Sequence, residues 1–288
     1  MLLNRKKREK NMEKNIQAFV ADIDGTLVAK GEKLLDRTRN ALERLHQEGV
    51  LVGIATGRPL DQRILDKAKE WNLSFEFDFA IGMNGGDLWD KENRVIEHYY
   101  PLSSENICSI LSFLKDFDIN AIVYEKGYDQ VACLRMDDFM KDSIRRNHSH
   151  VEVGDIQRLS KQETGKIEVH CKGDELEAVY AAIEKNRSDA WISVETFRAP
   201  EHFTIEFQDP RVNKGMGLER FAQQSNIPLE KIIAFGDMEN DIPLLEKAGW
   251  GVAMQNGSKE TKERADAITE HSVEEDGIGR YLEAHYWM

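Results

Sequence analysis

Short apolar runs that stop abruptly at a small or polar residue recur near both ends of the chain. They cover positions 18–21 before Asp22, 51–55 before Thr56, 77–83 before Asn84 and 232–235 before Gly236. Continuous runs of this length suit parallel strands buried on both faces. Between them the apolar positions switch to helical spacing. Positions 36–48 place Ala41, Leu42 and Leu45 on one side, 215–224 place Leu218, Phe221 and Ala222, and 241–247 place Ile242, Leu244 and Leu245. Strand alternating with helix predicts a doubly wound, Rossmann-like α/β core around a parallel sheet. In such sheets ligands bind beyond the carboxyl ends of the strands, where the polar residues that end the runs would gather.

The middle of the chain has another grammar. Helical patterns at 104–117 (Ile107, Ile110, Leu111, Leu114) and 174–185 (Leu176, Val179, Ile183) mix with alternating strand-like pieces at 119–124, 130–134, 166–171 and 191–196. The order predicts an α+β unit inserted in the α/β core and built from two similar halves of helix followed by strand, although no tight repeat marks the halves. Gly85-Gly86 and Ala199-Pro200 are read as the two crossings, giving a core of 16–86 and 199–288 and an insert of 87–198.

The balance of charge narrows the partners. Of the net charge of −13, residues 1–15 contribute six Lys/Arg against Glu9 and Glu13, so the remaining body stands at −17. That body repels a polyphosphate backbone, and nucleic acid is not expected as a partner. The basic head is read as a disordered, solvated tail, and Met12 offers a second start. No run of about 18 apolar residues and no secretory leader are found, so the expectation is a cytoplasmic protein with no membrane and no evident protein partner. Cys108, Cys133 and Cys171 are widely spaced and are read as small core residues.

Two carboxylates converge in Asp22-Ile23-Asp24-Gly25-Thr26, because residues two apart on an extended chain point the same way. At that spacing they repel unless a cation or a proton lies between them. Gly25 permits a sharp turn, and Thr26 is expected to hydrogen-bond to it. In Gly236-Asp237-Met238-Glu239-Asn240-Asp241 two further carboxylates stand four apart at a strand end and helix start, although Asp241 also suits the helix dipole without any ligand. A hard, oxygen-rich set of this kind fits Mg2+. Thr56-Gly57-Arg58 adds a hydroxyl, a close-approach glycine and a cation at another strand end. Lys214 puts positive charge at the already positive start of a helix, which is unfavourable unless an anion sits there.

These four elements, in this order, resemble the haloacid dehalogenase-like hydrolases, and specifically their Cof-type phosphatase branch. The resemblance spans residues 16–270. It implies Asp22 as the nucleophile that accepts a phosphoryl group, and Asp24 as the general acid that protonates the leaving oxygen and then activates water. It implies that Thr56 and Lys214 hold the transferring oxygens, with Gly57 and Arg58 beside them and Asn240 at the phosphate or its ligand shell. Mg2+ would be held by Asp22, the backbone carbonyl of Asp24 and Asp237, with Asp241 a ligand through water or a support for Lys214. The insert resembles the α/β cap in which this branch chooses its substrate, with Tyr124, Tyr128 and Arg135 candidate pocket residues and His148 and His150 read as solvated. The implied reaction is hydrolysis of small phosphorylated metabolites, such as sugar phosphates or phosphorylated cofactors. A phosphomutase or phosphotransferase with the same nucleophile, or a non-enzymatic regulatory module, are the alternatives.

Overall fold

The computed structural model describes residues 15–29 and 33–288. They fall into two compact units, one running up to Glu97 and resuming at Asn213, the other His98–Val212.

In the first unit eight strands form one sheet. From one edge they are Ala267–Ile268, Trp250–Ala253, Ile232–Gly236, Ala18–Ala21, Leu51–Ala55, Phe79–Gly82, Asp87–Asp90 and Ile96–His98. The first six are mutually parallel, and Asp87–Asp90 runs antiparallel to its neighbour Phe79–Gly82. Ala18–Ala21 and Ile232–Gly236 are buried throughout, which is why they read as unbroken apolar runs rather than alternating ones. Helix Asp36–Gln47 buries Ala41, Leu42 and Leu45, the three positions its spacing singled out. Phe221 of helix Lys214–Gln224 stacks on Phe79 of the sheet with ring centroids 3.5 Å apart. Burial of each such side chain stabilises by about 1.5–3 kcal/mol.

Register positions the chemistry. Ala21 lies opposite Phe235 on one side and Ile54 on the other, so the three central strands end nearly level. The residues that follow them, Asp22, Gly236-Asp237 and Thr56, therefore emerge at the same edge of the sheet.

The second unit holds a six-stranded sheet in the order Ile192–Arg198, His202–Gln208, Ile167–Lys172, Ile119–Lys126, Gln130–Cys133, His150–Val153. All described neighbours are antiparallel except the last pair. One face packs Val123, Val169, Ile205 and Phe207 in a cluster with Ile110 and Leu114 of helix Ser104–Leu114 and Ile183 of helix Leu176–Lys185. Strand alternation turns Tyr124, Glu168, His170, Thr204 and Glu206 away from that cluster.

The boundaries differ from 87 and 198. Asp87–Asp90 is a strand of the first sheet, so Gly85-Gly86 is a turn between neighbouring strands. Ala199-Pro200 turns a hairpin inside the second unit, where the Ala199 N–H donates to the His202 carbonyl at 2.8 Å. Strands Ile119–Lys126 and Ile167–Lys172 pair directly at the centre of this sheet, while the strands that follow helices Ser104–Leu114 and Leu176–Lys185 are Ile119–Lys126 and the edge strand Ile192–Arg198. Cys133 and Cys171 are buried as expected, while Cys108 is half-buried; all three are free. His148 and His150 are exposed. Residues 1–14 of the basic head lie outside the described residues. Among those described, no helix is long and apolar enough to cross a membrane.

Candidate active site

Asp22 leaves the central strand with its side chain buried and its backbone N–H donating to the Phe235 carbonyl of the neighbouring strand at 3.1 Å. The turn after Asp24 needs Gly25. Its φ is +92°, and a Cβ there would stand 2.4 Å from an Asp237 carboxylate oxygen. Thr26 does not bond within that turn, as its position suggested. Its hydroxyl donates across the sheet to Asp237 Oδ1 at 2.7 Å, joining the two acidic motifs.

Lys214 occupies the first turn of its helix, whose start is capped by the Asn213 side chain accepting from Met216 N at 2.9 Å. Gly85, at φ +109°, seats the exit of strand Phe79–Gly82 against this start, since a Cβ there would lie 2.1 Å from the Asn213 carbonyl. The Lys214 ammonium is fully buried and donates to both Asp22 Oδ1 and Asp241 Oδ1 at 2.5 Å. Burial alone would lower its pKa, but Asp22 and then Asp241 outweigh that and hold it above the usual lysine value. The cation disfavoured by the helix dipole is thus stabilised by two carboxylates. Asp241 Oδ2 accepts the backbone N–H groups of Asp237 and Met238 at 2.9 and 3.1 Å, so both its oxygens are engaged.

Asp22, Asp237 and Asp241 are all buried, with ligand-capable oxygens within 4.8 Å of one another. Three carboxylates against one ammonium leave an excess of negative charge. Burial pushes Asp22 up to about 7, with Lys214 opposing and Asp241 and Asp237 adding to the rise. Burial likewise pushes Asp237 up to about 6, with the Thr26 hydroxyl opposing. Carboxylates whose ionised forms are penalised in this way, and whose donors are all hard oxygens, fit a small divalent cation. Asp22 and Asp237 are the pair with oxygens to spare, because both oxygens of Asp241 are taken. The Asp24 side chain stands outside this cluster.

Asp24 Oδ1 instead accepts from Arg58 Nη2 at 2.7 Å. Thr56 is buried, and its hydroxyl accepts from the Arg58 N–H at 3.2 Å. Asn240 was expected at the phosphate or its ligand shell. It is exposed, and its amide donates to Asn84 Oδ1 at 3.2 Å, just beyond the end of strand Phe79–Gly82. Gly57 lies beside the same Asn84, whose Oδ1 would be 3.0 Å from a Cβ on Gly57.

Two supporting groups were given no site role from the sequence, although Asn84 was read as the residue that ends its apolar run. Asn256 donates to the Gly25 carbonyl at 2.8 Å and accepts from Val273 N at 2.9 Å, tying the Asp22 loop to the far side of the sheet. Asn84, with φ 55°, is the other. The available signal was the same strand-end grammar, since Asn256-Gly257 follows the run ending at Met254.

Residues 19–282 match the profile of the haloacid dehalogenase-like hydrolases. Two Bacillus subtilis relatives, both named 5-amino-6-(5-phospho-D-ribitylamino)uracil phosphatase, align along nearly their whole lengths. One is 27% identical over 276 residues, covering 96% of this chain and 99% of the relative. The other is 25% identical over 275 residues, covering 95% and 96%. A solved protein of Thermotoga maritima shares the fold with a TM-score of 0.80 at 24% identity, over 93% of this chain and 97% of that one. With the profile covering most of its length and the four motifs meeting at one edge of the sheet, the chain belongs to the haloacid dehalogenase-like hydrolase family, in its Cof-type phosphatase branch.

Proposed function

We propose that the chain is a magnesium-dependent phosphatase that hydrolyses small phosphorylated metabolites, sugar phosphates or phosphorylated cofactors, through an aspartyl-phosphate on Asp22. The observation that carries this reading is the buried cluster itself. Asp22 is held in place by a lysine shared with Asp241 and sits among more carboxylates than that lysine neutralises. Asp22, Asp237 and the Asp24 backbone carbonyl would hold Mg2+, with Asp241 supporting Lys214. When bound, magnesium supplies neutralisation of charge on the phosphoryl oxygens and a template for in-line transfer.

The chain's own groups divide the remaining work. An Asp22 carboxylate oxygen attacks phosphorus as the bond to the ester oxygen breaks, and Asp24 gives that oxygen its proton. Water then attacks the aspartyl-phosphate, Asp24 takes the water's proton, and the bond between phosphorus and Asp22 breaks to release phosphate. Lys214 and Thr56 orient the equatorial oxygens throughout. Whole-length similarity to the two Bacillus phosphatases makes a phosphorylated sugar alcohol joined to a heterocycle the first substrate to assay. The absence of a membrane-spanning helix among the described residues suits work in the cytoplasm. Choice among substrates is assigned to the His98–Val212 unit.

Asp24→Asn tests the scheme. With an alkyl phosphate the leaving alkoxide needs a proton, and turnover is expected to fall by about a hundredfold to ten-thousandfold. With a nitrophenyl phosphate the leaving group is stable as an anion, so rapid mixing should show a burst of nitrophenol near one equivalent, followed by a slow steady rate. Equal losses for both esters without a burst would overturn the acid/base assignment.

A further inference from the structure

Arg58 and Asp24 are the oppositely charged pair of this site that faces water. Their side chains are 38% and 37% exposed, against 0% for Lys214. The Arg58 backbone is fixed on both sides of its Cα, its N–H on Thr56 Oγ1 at 3.2 Å and its carbonyl accepting from Met83 N at 2.8 Å. Its guanidinium is held by one contact, Nη2 to Asp24 Oδ1 at 2.7 Å. Lys214, bridging two carboxylates and wholly enclosed, has no comparable freedom.

A guanidinium matches the oxygens of a phosphoryl group bidentately and prefers that dianion to a single carboxylate. An ion pair open to water is weak, and so can be displaced. Resting on the phosphatase reading above, we propose that Arg58 is a two-position clamp. In the resting site it holds the ionised Asp24 carboxylate, and an arriving phosphoryl group takes Arg58 over and frees Asp24, which takes a proton from the water it faces and turns it toward the leaving oxygen. Arg58 is then a phosphate ligand and the positioning residue for Asp24 in turn. Asp24 is held aside while no phosphoryl group is present and released by the arrival of the group on which it acts.

The clamp makes Asp24 and phosphate competitors for one guanidinium, which a double-mutant cycle detects without turnover. Inorganic phosphate is titrated calorimetrically, with magnesium present, into the full chain, Asp24→Asn, Arg58→Ala and the double variant. Arg58→Ala should weaken phosphate about tenfold to a hundredfold. Asp24→Asn should tighten it about threefold to tenfold while Arg58 is present, and the gain should vanish with Arg58→Ala. An equal gain in both backgrounds would mean plain charge repulsion, and no gain would mean that the pair does not compete; either overturns the clamp. Asp24→Ala repeats the cycle with a side chain that accepts no hydrogen bond, and melting curves check that each variant is folded. The nitrophenol burst is scored separately. A failed cycle with an intact burst sinks the clamp alone, and a failed burst with an intact cycle sinks the reaction scheme alone.

Discussion

Each unit of the molecule buries a lysine among carboxylates, and the two clusters respond in opposite ways. In the catalytic unit Lys214 faces Asp22 and Asp241 with Asp237 close by, and burial leaves Asp22 raised to about 7 and Asp237 to about 6. In the His98–Val212 unit Lys166 Nζ donates to Glu206 Oε1 at 2.6 Å, and Glu168 lies between the Tyr124 hydroxyl at 2.6 Å and His170 Nε2 at 3.0 Å. There burial also works against the charged form, but the His170 hydrogen bond and Lys166 charge outweigh it and hold Glu168 down at about 2. The difference is donor supply. Glu168 has a hydroxyl and an imidazole of its own and shares one nearby cation with Glu206, whereas the Lys214 cluster sets one ammonium against three carboxylates. A self-satisfied network is a structural device, and one short of positive charge fits the proposed Mg2+.

The sharpest way to break this contrast is to remove Asp22, the proposed nucleophile. Asp22→Asn should abolish turnover of alkyl and aryl phosphates alike, by more than about ten-thousandfold, because no phospho-enzyme can form. Mass spectrometry of the quenched reaction should show no 80-dalton-class phosphoryl adduct, about the mass that one phosphoryl group adds to the nucleophile. Persistent turnover would mean that the excess charge serves something other than phosphoryl transfer to Asp22.

A smaller effect separates cation binding from charge alone. Asp237→Ala, or chelation of magnesium, should cost about a thousandfold in rate, equivalent to about 4 kcal/mol of lost charge stabilisation. Near-normal rates after chelation would remove the need for a cation and make the catalytic cluster resemble the other one.

The smallest effect belongs to the satisfied network and appears in stability. The Glu168 pKa is depressed from 4.5 to about 2, so its contribution is fully present above pH 4.5 and is lost as pH falls through about 2. That amounts to about 3 kcal/mol at most. Urea unfolding between these pH values should show the native chain losing this increment, while Glu168→Gln lacks it throughout and has a flatter profile. Parallel profiles would show that Glu168 is no better satisfied than Asp22.

Much of this was legible before any coordinates. The runs at 18–21 and 51–55 coincide with strands, and the periodic stretches at 36–48 and 215–224 with helices, because burial on both faces or along one stripe writes a period into the sequence. Asp87–Asp90 and Ile96–His98 escaped notice since three- and four-residue strands with acidic or basic members carry no such period. The boundary followed from that error: a Gly-Gly or Ala-Pro pair marks a turn, and whether the turn joins strands of one sheet or links two units depends on hydrogen-bond partners far away in the sequence.

The sequence by itself determined which residues end the strands and which open a helix, because a residue's type and its place beside an apolar run or a periodic stretch are local properties. It thereby named Asp22, Asp24, Thr56 and Asp237 at strand ends and Lys214 at a helix start. Only the tertiary structure decided their partners. Thr26 reaches Asp237 across 211 positions and Lys214 reaches Asp22 across 192, so no local pattern records either contact. The same holds for Arg58 on Asp24, Asn240 on Asn84 and Asn256 on Gly25. A carboxylate's identity is chemical and is carried by the chain, but its charge state and task are set by burial and by donors that strand register brings alongside it.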